Sequence, residues 1–186
     1  MATATINSPV LYVIDFDSTF TKVEGLDELA AIALSGHPNK DSIVGQIRDL
    51  TDQGMNGEIP FSEGLRKRIE LLSGNRQHIA QLVEYLKTQI SNSFQRNKKF
   101  FANHQDQIYI ISSGFKEYII PVVSTLGVLP EHVLANEFRF DEDGNIIGID
   151  ESNPLASDGG KIKALQSLGL DAEVYVIGDC YTDYEL

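Results

Sequence analysis

The sequence predicts an α/β fold, a doubly wound parallel sheet with a helical cap inserted after its first strand. Three observations carry this. Three short apolar runs, Val10–Ile14, Ile108–Ile111 and Val174–Ile177, each end in a cluster of polar residues. Continuous runs of this length read as strands buried on both faces, as in a parallel sheet under helices. Between the first two runs, from about Glu24 to Leu86, apolar residues recur every three or four positions, the period of amphipathic helices.

In chain order, Val10–Ile14 is the first strand, running into Asp15-Phe16-Asp17-Ser18-Thr19. Four helical patterns follow, on Leu26, Leu29, Ala30, Ala33 and Leu34; Ile43, Ile47 and Leu50; Leu65, Ile69 and Leu72; and Ile79, Leu82, Val83 and Leu86. Gly36-His37-Pro38-Asn39, Asn56-Gly57 and Ser73-Gly74-Asn75 punctuate them. Residues 21–89 therefore read as a cap, and 1–20 with 90–186 as the α/β core. A helix over 93–103 leads into the second strand, and one over 115–126 follows it, kinked or divided by Pro121. Asp141-Glu142-Asp143-Gly144-Asn145 between two apolar segments predicts a hairpin. Ser157-Asp158-Gly159-Gly160 opens a helix that Gly169 stops, and this helix feeds the third strand. The crossovers imply right-handed connections.

The length of 186 residues suits one domain, or one core with a modest insertion. Formal charge is −12, from 27 acidic against 15 basic residues. The densest basic groups, Arg66-Lys67-Arg68 and Lys98-Lys99, lie in helical patterns where solvated faces are the plain reading. No nucleic acid and no membrane surface is expected as a partner. No apolar run approaches the ~20 residues of a membrane span. Residues 1–8 have no secretory pattern and read as a disordered lead-in. The single cysteine, Cys180, permits no intrachain disulfide, and a reducing, cytoplasmic setting is expected. His37, His78, His104 and His132 are scattered without zinc-ligand spacing.

In open parallel sheets, ligands bind at the carboxyl ends of the strands. Asp15, Asp17, Asp179, Asp183, two hydroxyls and a Ser113-Gly114 turn are therefore brought to one sheet edge. Two carboxylates as close as Asp15 and Asp17 resist joint ionisation without a cation. With one, they can divide the work of attacking phosphorus and moving a proton. Ser112 and Thr19 can donate to a phosphoryl oxygen, and the Ser113-Gly114 turn can aim backbone N–H groups at it. Lys161, after two glycines at a helix start, can place a fixed positive charge beside phosphate and Asp15. Asp179 and Asp183 can hold a hard cation. Taken singly, each motif is also a common polar turn; their order along alternating strands and helices is what points to phosphoryl transfer.

From about Val10 to Leu186 the chain resembles the phosphatases of the haloacid dehalogenase superfamily, and within them the phosphoserine phosphatases. Asp15-Phe16-Asp17-Ser18-Thr19 is similar to the first motif of that family, Ser112 to the second, Lys161 to the third, and Asp179 with Asp183 to the fourth. The resemblance implies that Asp15 is the nucleophile, forming an aspartyl-phosphate, and that Asp17 is the general acid/base. It implies Mg²⁺ as cofactor, held by Asp15, the backbone carbonyl of Asp17, and Asp179, with Asp183 in support. It implies that Glu24 binds the ammonium of a small phosphorylated amino acid and Arg68 its carboxylate. By the same resemblance Met55 and Phe61 shield the site, and Ser113, Gly114 and Thr19 help bind substrate. A homodimer is compatible with this reading.

Three features depart from the resembled pattern. Ser113 stands where a glycine is usual, and Cys180 follows Asp179 where a glycine is usual; Cys180 has no partnering base and is read as tolerated. The chain stops three residues after Asp183, whereas the family continues through a helix and at least one further strand. A truncated chain, or the start of a longer one, is therefore expected, some relatives being fused to a phosphoglycerate dehydrogenase. Phosphohomoserine or another small phosphorylated metabolite stands as the alternative substrate, and a non-catalytic module of a larger enzyme as the alternative class.

Overall fold

The computed structural model describes residues 9–184 and 186, so the predicted disordered lead-in over 1–8 lies outside the described residues. The order is β1 (Val10–Ile14), α1 (Gly25–Ala33), α2 (Lys40–Met55), α3 (Phe61–Leu71), α4 (Arg76–Thr88), α5 (Asn92–Arg96), α6 (Lys98–Asn103), β2 (Ile108–Phe115), α7 (Lys116–Val123), β3 (Val133–Asn136), β4 (Phe138–Phe140), β5 (Ile146–Ile149), α8 (Gly160–Ser167), β6 (Glu173–Ile177) and α9 (Tyr181–Tyr184). The main sheet has the order β3-β2-β1-β6 with every pairing parallel, and β4 and β5 form the separate antiparallel hairpin. This is the α/β architecture that the apolar runs predict.

From β1 the sheet grows through β2 and β3 on one side, and the chain then returns to set β6 on the other. That reversal makes the end of β1 a topological switch point, where a crevice opens outside the strand ends. Ile14, the last residue of β1, pairs with Ile110 and Ile177, so Asp15 emerges level with Ser112 and the turn after β6. Successive residues alternate between faces, as a strand requires. Ile14 and Ile110 join the large cluster beneath the helices, while Val13 and Ile111 join a smaller one with Leu155 and Ala164.

Helices α1–α4 lie between β1 and β2. Their buried Leu29, Ile47, Leu65, Leu82 and Leu86 share one continuous core with Phe20, Tyr118 and Ile119. The insertion is thus packed into the sheet's own core. Asn75 caps α4 by accepting from the Gln77 and His78 amides, and the Asp141 carboxylate ties the hairpin turn by accepting from the Asp143 and Asn145 amides.

Three local expectations are corrected. The helix expected over 93–103 is two, α5 and α6, separated at Asn97. The Ser113-Gly114 turn is absent: β2 runs extended through both residues to Phe115, with an irregularity against β3 between Ile111 and Phe115. The strand expected to be buried on both faces, β6, is the sheet edge among the described residues, with Tyr175 50% and Ile177 39% exposed. Pro121 sits inside α7, which passes into a tighter turn at Ser124–Leu126.

Candidate active site

The backbone after β1 makes a wide turn. The amides of Phe20 and Thr21 donate to the carbonyls five residues earlier, Asp15 and Phe16, at 3.2 and 2.9 Å. Within it Ser18 is held at φ 55, the one non-glycine residue with positive φ among the described residues. Such a conformation costs on the order of 1–3 kcal/mol and persists where neighbours enforce it. Here Ser18 Oγ donates to Glu24 Oε1 at 2.5 Å. The turn throws Asp15 and Asp17 toward the crevice, and the Asp15 amide remains tied to Ile177 O of β6 at 2.9 Å.

Lys161 enters from α8. Gly159 takes φ 66, and Gly160 packs so tightly on Pro154 O and Leu155 that a Cβ there has no room. The glycine pair therefore lets α8 start against the sheet and drops Lys161 into the site. Its Nζ lies 3.0 Å from Asp15 Oδ1 and 2.6 Å from Asp183 Oδ1, all three side chains being at most 8% exposed. Burial works against the charge on Lys161, but the two carboxylates more than offset it and hold the ammonium above its ordinary range. Asp183 also accepts on Oδ2 from the Cys180 amide and Sγ, at 3.2 and 3.1 Å. Both of its oxygens are engaged, so it anchors Lys161 and the loop after β6.

Burial pushes the Asp15 carboxyl up to about 7; Lys161 pulls it down, and Asp183 raises it again. Asp17 is raised well above the carboxylate range by burial, then by Glu24, although the first amide of α1, from Gly25, donates to its Oδ1 at 2.7 Å. One acid ionises near neutrality beside a fixed cation, and the other is held well above the carboxylate range by burial and Glu24: a division suited to nucleophile and general acid. Ser112, 1% exposed, accepts the Gly114 amide on its Oγ at 2.9 Å and lines the cavity, so its hydroxyl can still donate to a ligand there. Thr19 Oγ1 donates its proton to Asp179 Oδ1 at 2.5 Å, so in this geometry it orients Asp179.

Ligand atoms of Asp15, Cys180 and Asp183 lie within 4.8 Å of one another. They make a poor cation site. Asp183 is saturated, and burial raises the Cys180 thiol, which therefore stays protonated. Asp15, Asp17 and Asp179 line one cavity, on the turns after β1 and β6, where the two carboxylates and the Asp17 carbonyl would offer oxygen donors only. That donor chemistry fits a hard divalent cation such as Mg²⁺.

One cavity unites these groups with the helical insertion. Asp15, Asp17, Ser112 and Lys161 line one part of it, and Glu24, Met55, Phe61 and Arg68 another. Met55 is 44% exposed at the rim, and Phe61 is half-buried. The basic triplet of α3 splits. Arg66 and Lys67 pair in solvent with Glu70 and Glu63, whereas Arg68 turns inward and is 9% exposed. Its Nη1 donates to Thr51 Oγ1 at 3.1 Å, and Thr51 donates in turn to Asp27 Oδ1 at 2.9 Å. Burial lowers the Arg68 pKa, opposed first by Asp27. Asp27 and Thr51 were not among the sequence candidates. Asp27 follows Glu24 by one helical turn, a faint signal, while Thr51 has none. Asp158, which in sequence marks only a helix start, accepts with its carboxylate from the Phe61 amide at 2.8 Å and the Ser62 hydroxyl at 3.1 Å, tying the α8 loop to the N-terminus of α3.

The model of the haloacid dehalogenase-like hydrolase family matches residues 12–186. The chloroplastic phosphoserine phosphatase of Arabidopsis thaliana is 34% identical over 175 residues, 92% of this chain and 56% of that protein. Human phosphoserine phosphatase is 29% identical over 174 residues, 92% of this chain and 74% of that one. The crystal structure of a phosphoserine phosphohydrolase-like protein from Francisella tularensis superposes with a TM-score of 0.82 at 29% identity, covering 95% of this chain and 81% of that one. The chain thus spans little more than half the length of its plant relative. With strand-end aspartates, a buried lysine and a family model matching from β1 to the last residue, the chain belongs to the haloacid dehalogenase-like hydrolases.

Proposed function

We propose that this chain hydrolyses phosphoserine to serine and phosphate through an aspartyl-phosphate on Asp15, with Mg²⁺ as cofactor. The observation that supports it is the single cavity in which phosphoryl-transfer groups face an acid and a guanidinium, Glu24 and Arg68. A carboxylate for an ammonium and a guanidinium for a carboxylate are what a free amino acid requires. The names of the plant and human relatives agree with that substrate.

In the proposed reaction an Asp15 oxygen bonds to phosphorus as the bond to the serine oxygen breaks, and Asp17 delivers its proton to that oxygen. Asp17 then takes a proton from water, whose oxygen bonds to phosphorus and releases Asp15. Lys161 stays charged beside Asp15 throughout, and Ser112 donates to a phosphoryl oxygen. Asp15, the Asp17 carbonyl and Asp179 would hold Mg²⁺, which neutralises phosphoryl charge and keeps Asp15 ionised. Residues 21–89 act as the cap and the remainder as the core, with Met55 and Phe61 limiting water while serine departs.

Steady-state hydrolysis of L-phosphoserine, phosphohomoserine and p-nitrophenyl phosphate tests this. Wild type prefers L-phosphoserine, and Arg68→Ala loses about ten- to a hundredfold in kcat/KM on it, the scale of one buried charged hydrogen bond, with little change on the aryl phosphate. Equal losses on both would remove Arg68 from substrate recognition, and preference for phosphohomoserine would reassign the substrate.

A further inference from the structure

Two buried polar atoms in the cavity have no acceptor for their protons among the described residues: Arg68 Nε, and Tyr118 Oη, which the Phe115 amide approaches only as a donor. Tyr118, on α7, is fully buried, and no sequence motif singled it out. Its ring end is pressed between two glycines. A Cβ on Gly25 would stand 2.7 Å from Tyr118 Cε2, and one on Gly114 would stand 2.7 Å from Tyr118 Oη and 2.8 Å from Asp17 Oδ2. The hydroxyl therefore reaches the wall between the second strand end and the Asp17 carboxylate. Burying a hydroxyl whose proton has no acceptor is unfavourable, and such groups are rare unless something outside the resting fold completes them.

Resting on the phosphoserine reading, we infer that Tyr118 is a specificity-determining residue whose hydroxyl donates, together with Arg68 Nε, to the substrate's carboxylate. The chemistry selects that group. A carboxylate only accepts, with two oxygens, and here two unpaired donors, one neutral and one charged, line the same cavity. The phosphate end has its own donors in Lys161 and Ser112. The guanidinium and the phenol interact electrostatically, and burial keeps the phenol a neutral donor by pushing its ionisation well above the usual range. The ring itself is held by packing near Phe16 and Phe115, with centroids 6.0 and 6.2 Å away, so removing the oxygen leaves its seat intact.

Tyr118→Phe tests this in the 186-residue chain, with L-phosphoserine and phosphoethanolamine, which lacks the carboxylate, as paired substrates. The expected result is a KM for L-phosphoserine raised about tenfold or more with kcat little changed, and kinetics on phosphoethanolamine equal to wild type. The substrate-free variant melts at the same temperature as wild type or higher, since a hydroxyl without an acceptor has been removed. A lower melting temperature, or equal losses on both substrates, overturns the inference in favour of a structural role. A fall in kcat with an altered pH profile on both substrates overturns it in favour of contact with Asp17. If wild type itself shows no preference for L-phosphoserine over phosphoethanolamine, the parent reading fails, and this one with it. That failure is visible without the variant.

Discussion

Lys161 is the positive centre between two buried carboxylates, and replacing it with methionine should show how much the site depends on it. The substitution keeps length and apolar stem but strands Asp15 and Asp183, whose side chains are 8% and 5% exposed. Removing one partner of a buried pair typically costs about 3–5 kcal/mol. For a chain of this size each kcal/mol moves Tm by about 2–4 °C, so a fall of roughly 6–20 °C is expected at neutral pH. The pH dependence is the sharper signature. Without Lys161, which pulls it down, the Asp15 carboxyl rises further above its present value of about 7. A carboxyl whose folded pKa lies above its unfolded value contributes stability at low pH that is lost as pH climbs through the folded pKa. Up to about pH 7 the Asp15 carboxyl is mostly protonated in both folded proteins, so its contribution to the gap is constant there. The gap should widen as pH rises past about 7. Thermal melts in chelator across about pH 5–9 measure it. A gap that is absent, or that is constant with pH, would refute the claim that Lys161 is held by these two charges.

Two further perturbations address the cap. Thr51→Val removes the oxygen that joins Arg68 to Asp27; a loss of about 1–3 kcal/mol is expected, read as a lower Tm, together with a raised KM for L-phosphoserine. An unchanged KM would mean that Arg68 holds its place without that link. Asp158→Ala removes the acceptor of the Phe61 amide and Ser62 hydroxyl, which should cost about 0.5–2 kcal/mol and speed amide exchange selectively at the start of α3. Uniform protection of α3 in the variant would show that packing alone seats the cap.

Asp15, Asp17, Ser112 and Lys161 were legible because each sits where a strand has just carried the backbone to the sheet edge, or where glycines start a helix. Position along the chain then nearly determines position in space. Ser113-Gly114 misled because small residues mark turns only statistically, and here pairing with β3 continues past them, with Phe115 opposite Asn136. The run Val174–Ile177 looks like a buried strand, but no neighbour pairs with its outer edge among the described residues, and burial is a tertiary fact. Arg66, Lys67 and Arg68 look alike in sequence. Helical periodicity puts only Arg68 on the face shared with Leu65, and only the packed cap shows that this face lines the cavity. Thr51 and Asp158 make hydrogen bonds across long sequence separations, where no local pattern marks them.

The central claim, that Asp15 carries the phosphoryl group between two half-reactions, is tested most directly by isotope exchange. Labelled L-serine is incubated with the enzyme, Mg²⁺ and unlabelled L-phosphoserine, and its appearance in phosphoserine is followed beside phosphate release. A covalent intermediate predicts exchange that is lost in Asp15→Asn along with hydrolysis. Phosphate released at the full wild-type rate with no label entering phosphoserine, or exchange that survives in Asp15→Asn, would contradict the account.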